Sequence, residues 1–267
     1  MADNSIDAAG VIDHIANWLT AYAGSSGTNG FVIGISGGID SAVTSTLGAR
    51  TGLPVLCCEM PIHQHADQVG RAARHIDWLI ETYPNVERAT VDLTPTFESL
   101  IAALPGVDLG PDHEMALVNS RARLRMTTLY YFAAAHGRLV LGTGNKVEDF
   151  GVGFYTKYGD GGVDVSPIAD LVKTEVYAVG RELGVNRAIL DAPPTDGLWG
   201  DDRTDEDQLG ASYPELEWAM TFAGDDAGLT DREREVLAIY RRLHAANRHK
   251  MDPIPVCMIP DSLRTGD

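Results

Sequence analysis

A chain of 267 residues is long enough to bury a full core, and a formal net charge of −17 excludes bulk attraction to nucleic acid or to an anionic membrane surface. Its three cysteines, Cys57, Cys58 and Cys257, have no metal-ligand spacing and no disulfide framework; the adjacent pair lies in an apolar run and reads as buried thiols of a reducing compartment. There is no basic start followed by an apolar stretch, and no run approaching ~20 apolar residues, so the expected location is the cytoplasm.

Along the chain, Ile6, Ala9, Ile12, Ile15, Ala16 and Leu19 recur at helical spacing and predict a helix over Ser5 to Ala23. Gly24 to Gly30 is a loop. Phe31 to Ile35 reads as a short buried strand and Ser41 to Arg50 as a helix. Leu53 to Met60 is a second strand, Gln64 to Tyr83 a helix, and Val86 to Leu93 a third strand. Asp112 to His136 is a long helix, and Arg138 to Gly144 a fourth strand. Beyond Gly144 come a glycine-rich stretch, an acidic loop and a C-terminal helix opened by a capping box, Thr230 to Glu233. Strands rich in Val, Ile and Leu that alternate with helices imply an α/β fold: a doubly wound, mostly parallel sheet with helices on both faces.

The first strand leaves through Ser36-Gly37-Gly38-Ile39-Asp40-Ser41. In open α/β sheets, ligands sit at the carboxyl ends of strands. Two glycines let the backbone approach a ligand, and the next helix offers free N–H groups and a positive dipole end. Ser36 and Ser41 add hydroxyls, and the whole suits a phosphate or pyrophosphate. Asp40 would repel such an anion unless Mg²⁺ bridges carboxylate to phosphate. The loop lacks the gap and the lysine of a Walker A motif. A plain strand-to-helix turn with Asp40 at the helix start is the alternative.

Further candidates lie downstream. In "NSRARLRMTTLY", Asn119, Arg123, Met126 and Tyr130 share one helix face, so Arg123 is the better ligand candidate. Arg121 and Arg125 point nearly opposite and are read as solvated or ion-paired. "GTGNKVED" follows the fourth strand and offers Thr143 to a nucleotide and Glu148 as a second carboxylate for the metal. "FYTKYGDGGVDVSP" places Lys157 and Asp164 in a glycine-dense, aromatic segment, and Lys173 opens a helix. The stretch 191–210 carries Asp191, Asp196, Asp201, Asp202, Asp205, Glu206 and Asp207 against Arg203 alone, which reads as a solvated loop.

Taken together, "SGGIDS", "NSRARLRM", "GTGNKVE", "FYTKYGDGG", "PPTDGLW" with "TDEDQLG", and His249–Lys250 resemble the ammonia-dependent NAD synthetases of the N-type ATP pyrophosphatase superfamily. The resemblance spans nearly the whole chain and implies an adenine nucleotide alpha-hydrolase-like fold. It implies one domain over 1–267: an N-terminal helix at 5–23, a nucleotide-binding core at 31–150, and substrate and closing-loop segments at 151–267. The family's pyrophosphate loop falls on Gly34, Ile35, Ser36, Gly37, Gly38, Ile39, Asp40 and Ser41. Its Mg²⁺ carboxylates fall on Asp40 and Glu148. Its ATP contacts fall on Thr143, Lys173 and Thr195, and its contacts to deamido-NAD on Arg123, Lys157, Asp164, His249 and Lys250. The acidic stretch resembles a segment that closes over ATP. A homodimer with the dinucleotide near the subunit interface is implied. Two departures stand out: Glu59 where many members carry an arginine near the adenine, and Met251 where many extend the His-Lys pair with an arginine.

The implied reaction has two steps. The carboxylate of deamido-NAD attacks the α-phosphate of ATP and pyrophosphate leaves; ammonia then displaces AMP to give the amide. Asp40 and Lys173 would serve the first step, and Asp164 is the candidate to take a proton from ammonium. No amidase domain with a catalytic cysteine is visible, which implies free ammonia, or a separate ammonia-delivering partner, as the nitrogen source. Another adenylating amidotransferase of the same superfamily, or an ATP-binding regulatory module without turnover, are the alternatives.

Overall fold

The computed structural model describes residues 6–64, 66–106, 112–195 and 204–264. The first helix, α1 (Ala8–Ser26), starts at Asp7, whose carboxylate accepts from Gly10 N at 3.1 Å. It runs past the expected end at Ala23, because Gly27, at φ 69°, is the residue that takes the left-handed cap. Ser5, the expected start, lies outside the described residues. Then follow β1 (Phe31–Gly34), α2 (Ile39–Arg50), β2 (Val55–Glu59), α3 (Ala66–Thr82) and β3 (Val86–Thr90). β3 stops short of Leu93, since the Asp92 side chain accepts from Thr94 N at 2.9 Å and turns the chain into α4 (Thr94–Ala103), with Pro95 in its first turn. The sequence reading gave no element there. The long helix α5 (Asp112–His136) matches its expected span. After it, β4 holds only Leu139–Val140. Its expected length to Gly144 is not reached: the ladder with β1 ends at Val140, although β1 itself runs on to Gly34, and Leu141 bridges to Val165 instead.

Among the described residues the sheet is four-stranded, all parallel, in the order β3-β2-β1-β4. β1 is therefore flanked on both sides, and its carboxyl end opens at the middle of the sheet. Alternation along the strands feeds two cores. Phe31, Ile33, Val55 and Cys57 pack with Leu19, Leu47, Ile76 and Val176 on one face; Val32, Leu56, Cys58 and Val140 pack with Phe97 and Ala133 on the other. Burial on both faces is why these strands read as unbroken apolar runs. Cys57 and Cys58 are fully enclosed, and burial pushes both thiols up to about 12.

The last third is helical. A π-helical turn at Val147–Val152 is followed by α6 (Lys173–Glu182), α7 (Arg187–Leu190), α8 (Asp205–Leu209), α9 (Tyr213–Thr221) and α10 (Asp231–Met251). The capping box opens α10 as expected, Thr230 N donating to Glu233 Oε2 at 2.7 Å. Val147 and Val152 join Leu209, Leu216, Val236 and Leu237 in a third apolar cluster, which ties these helices to the π-helical turn. Among the described residues no helix is long and apolar enough to cross a membrane.

Candidate active site

The site begins where β1 ends. Ile35 N still donates to Cys58 O at 2.9 Å; beyond it the chain leaves the sheet. Gly37 takes φ 83°, a left-handed conformation that side-chain-bearing residues avoid. The Ser41 hydroxyl reaches back from the first turn of α2, lying 3.0 Å from Ser36 Oγ and donating to Gly38 O at 3.0 Å. No side chain caps the start of α2, so its first N–H groups face the loop with the dipole behind them.

Three charged side chains from distant parts of the chain meet over this loop. Lys173, only 3% exposed, donates from Nζ to Asp40 Oδ2 at 2.6 Å and to Glu148 Oε1 at 2.9 Å. Asn145, fully buried, organises the pair. Its Nδ2 donates to Asp40 Oδ1 at 3.1 Å, while its Oδ1 accepts from Val147 N and Glu148 N, both at 3.1 Å, and so starts the π-helical turn. Tyr213, from α9, donates to Glu148 Oε1 at 2.5 Å and to Asp205 Oδ2 at 3.3 Å, with the Lys173 ammonium 4.7 Å from its ring centroid. Burial would lower the Lys173 pKa, but Asp40 and Glu148 outweigh it and hold the ammonium above its ordinary value. Burial also opposes ionisation of Glu148; Lys173 and the Tyr213 hydroxyl overcome it and leave the pKa below normal. At Asp40 burial wins over Lys173, and the pKa is raised. Asp149, next along, is pushed up to about 8 by burial and by the charges of Glu148, Asp160 and Asp40.

Around this cluster lie three connected hollows. The first, about 230 Å³, runs from Ser36, Asp40 and Glu148 past Thr143 to an apolar slot formed by Gly34, Met126, Leu129, Leu141 and Val163. The second, about 60 Å³, sits directly over Gly37 and Gly38, with Lys173, Arg71 and Thr195 in its wall. The third, about 340 Å³, lies between α5 and α10 and includes Asn119, Thr156, Asn247 and Lys250. It shares Phe154, Tyr155 and Asp160 with the first. Of the expected nucleotide residues, Gly34, Ser36, Gly37, Gly38, Ile39, Asp40, Ser41, Thr143, Glu148, Lys173 and Thr195 line one or both of the first two hollows.

The acceptor-side residues divide. Lys250 lines the third hollow and donates to Gly153 O and Tyr155 O, both at 2.8 Å. Arg123 is exposed and donates to Lys157 O at 3.3 and 3.4 Å; Lys157 in turn donates to His249 O. These three form a chain of contacts outside the hollows. Asp164 also lies outside their walls, its oxygens accepting from Val140 N at 2.8 Å and Tyr130 Oη at 3.0 Å.

Two sequence readings are corrected here. Arg125 is neither solvated nor ion-paired among the described residues but forms part of the cleft wall, while the partly buried Arg121 lies 4.9 Å from the Phe97 ring centroid. The face that α5 turns to the cleft is Ala122, Arg125, Met126 and Leu129, one position round from the expected face. Burial, with the Arg121 charge acting in the same direction, lowers the Arg125 pKa to about 10, which still leaves it charged at neutral pH. Asp205 is likewise no solvated acid; it is 6% exposed and lines both nucleotide hollows. Asp196, Asp201, Asp202 and Arg203 lie outside the described residues. Glu59 is committed to the fold, accepting from Thr90 Oγ1 at 3.0 Å and pairing with Arg88 Nε at 3.4 Å.

The family model of NAD synthase matches residues 11–252. The chain belongs to the NAD synthase family. It is 36% identical over 256 residues to the NH(3)-dependent NAD(+) synthetase of Alkaliphilus metalliredigens, covering 91% of this chain and 97% of that one. The corresponding enzyme of Syntrophomonas wolfei is 35% identical, with 95% and 98% covered. Among solved structures, the NMN synthetase from Francisella tularensis superposes with a TM-score of 0.82 at 31% identity, covering 96% of this chain and 100% of that chain. The NAD+ synthetase from Burkholderia pseudomallei gives 0.70 at 29%, with 92% and 90% covered. For this NAD synthase family member, the sequence reading missed Asn145, Tyr213, Asp205 and Arg125. Asn145 and Asp205 stand inside "GTGNKVE" and "TDEDQLG", where nothing singles them out from their neighbours. Tyr213 carries no local signal, because only tertiary packing brings α9 to the loop.

Proposed function

We propose that the protein is a ligase that amidates deamido-NAD to NAD with free ammonia, using ATP and releasing AMP and pyrophosphate. The observation that carries this reading is the Asp40–Lys173–Glu148 cluster over an anion-binding loop, in a hollow that shares a wall with a second hollow. ATP occupies the first two hollows, its phosphates on Gly37–Ser41 and Lys173. The acceptor occupies the third, where Lys250 stands. Its carboxylate then meets the α-phosphate at the common wall of Phe154, Tyr155 and Asp160.

A carboxylate is a poor acyl electrophile, so adenylation must come first. Lys173 and the loop N–H groups stabilise the charge that builds on the leaving pyrophosphate. Tyr213 and Asn145 hold Glu148 and Asp40 in place. Two carboxylates converging on one cationic point form a hard oxygen set that fits Mg²⁺, and Asp40 and Glu148 would hold it. Among the described residues no third carboxylate, histidine or cysteine joins them in a cluster, so the remaining ligands of such an ion would have to come from the substrate and solvent. Bound there, the ion supplies Lewis-acid neutralisation of the phosphates.

Free ammonia as nitrogen donor, a homodimer and a cytoplasmic location complete the reading. One second reading comes from the solved NMN synthetase of Francisella tularensis, 31% identical over nearly the whole chain: a mononucleotide acceptor, nicotinate mononucleotide. Incubation of the protein with ATP, ammonium and either acceptor, with amide and pyrophosphate measured together, decides. Pyrophosphate release with neither acceptor present in the product would remove both readings.

A further inference from the structure

Arg125 enters the cleft wall with donors to spare. Nε donates to Met60 O at 3.0 Å, which fixes the guanidinium at the end of β2. Nη2 is enclosed and has no acceptor; Nη1 makes no hydrogen bond either and is not enclosed, so it is the open terminal nitrogen that the hollow can reach. Among the described residues no carboxylate forms an ion pair with it. Interiors rarely leave a charged donor open, since every unmade hydrogen bond there is a standing cost to the fold. A bond to one backbone carbonyl does not by itself require a five-donor fork.

The surroundings say what completes it. The same hollow presents Gly34, Met126, Leu129, Leu141 and Val163, an apolar slot at the carboxyl ends of β1 and β4. Gly34 keeps the slot open: a Cβ there would stand 3.2 Å from Met60 Cε. Phosphates do not belong in this slot, because the loop amides and Lys173 lie at the other end of the hollow. A nucleoside triphosphate seated with its phosphates on Gly37–Ser41 puts its base in the slot. A purine is flat and apolar on its faces, with acceptor nitrogens on its rim. Glu59, the other ionisable side chain at the end of β2, is occupied by Thr90 and Arg88.

We propose that Arg125 reads the purine of the bound ATP, donating from its open terminal nitrogen to an acceptor nitrogen of the ring. The inference rests on the reading of the protein as an ATP-using ligase and adds a base-recognition residue to it. Arg125 thus differs from Lys173: it sets which nucleotide is accepted, not how the phosphate departs.

The test is a binding experiment, so it does not depend on amide formation. Affinities of ATP and of 1-deaza-, 3-deaza- and 7-deaza-ATP are measured by calorimetry on the parent, R125K and R125M, with inorganic pyrophosphate as a probe of the phosphate loop alone. A charged donor bond predicts that one deaza analogue binds the parent about tenfold or more weakly than ATP. In R125M that analogue and ATP should bind alike, while pyrophosphate binds as in the parent; R125K should recover part of the discrimination. If all three analogues bind the parent as tightly as ATP, the proposal is overturned, whether or not the variants fold. It is equally overturned if R125M keeps the parent's discrimination. A parent that binds ATP with this pattern but forms no amide removes the ligase reading and leaves Arg125 standing.

Discussion

Replacing Lys173 by methionine tests the charged cluster at its centre. The side chain is 3% exposed, and its ammonium is shared by Asp40 Oδ2 at 2.6 Å and Glu148 Oε1 at 2.9 Å, carboxylates whose side chains are 18% and 16% exposed. Methionine keeps the volume and removes the charge, leaving two enclosed carboxylates facing each other. Breaking a buried ion pair from one side costs about 3–5 kcal/mol. At about 2–4 °C per kcal/mol for a domain of this size, the melting temperature should fall by roughly 6–20 °C. The pH dependence should also change sign locally. In the parent, Glu148 has a depressed pKa, so its stabilisation is present above the unfolded value and is lost as pH falls through the folded one. Without Lys173, burial and mutual repulsion raise both carboxylates, the folded state holds the extra proton, and the variant gains stability as pH falls toward the carboxylate range. Thermal melts of parent and K173M from pH 8 to pH 5, with and without Mg²⁺, measure this; the ion should recover part of the loss. A variant that melts within about 2 °C of the parent at pH 8, with the same pH profile, would refute the argument.

Asp40→Asn should fold normally but lose Mg²⁺-dependent pyrophosphate release, since a neutral amide is a weak ligand for a hard cation; a coupled pyrophosphate assay checks it. Ammonium salts should support amide formation by the pure chain and glutamine should not, as read by chromatography of the product. His75 is 1% exposed, bonded through Nε2 to Ser45 Oγ at 2.9 Å, and burial lowers its pKa from 6.5 to about 4. Its contribution is therefore intact above pH 6.5 and lost as pH falls toward 4, amounting to about 3 kcal/mol. Urea unfolding at pH 7 and pH 4.5 should show most of that difference in the parent and little of it in H75F.

Much of the core was legible in the sequence because strands buried on both faces announce themselves as unbroken apolar runs. The phosphate loop was legible because Gly37 does something only glycine does cheaply. The face of α5 was not: a rotation of one residue separates the face of Arg123 and Tyr130 from that of Ala122 and Leu129, and helical periodicity cannot fix it when apolar and charged residues share both sides. β4 looked longer because its apolar run continues past Val140, where Leu141 pairs with Val165 and no longer extends the ladder with β1. Tyr213 reaches Glu148 across a long stretch of chain and brings Asp205 with it, a closeness created by the third apolar cluster and not by any local pattern.

Asp164 has a consequence for how copies of the molecule can meet. At β4, Leu139 and Leu141 turn their N–H groups inward to Gly30 O and Val32 O, so Val140 presents its own groups to the outside. Both are taken: its N–H by the Asp164 carboxylate, its carbonyl by the N–H groups of Asp164 and Val165 at 3.0 and 3.3 Å. This border of the sheet is plugged. A strand from a neighbouring molecule finds no open rung to add to there, which removes one route to fibrous aggregation in a crowded cell. A symmetric partnership at this border has to be made through side-chain surfaces, where shape and charge can select the partner, and the loss of Asp164 would free the Val140 N–H.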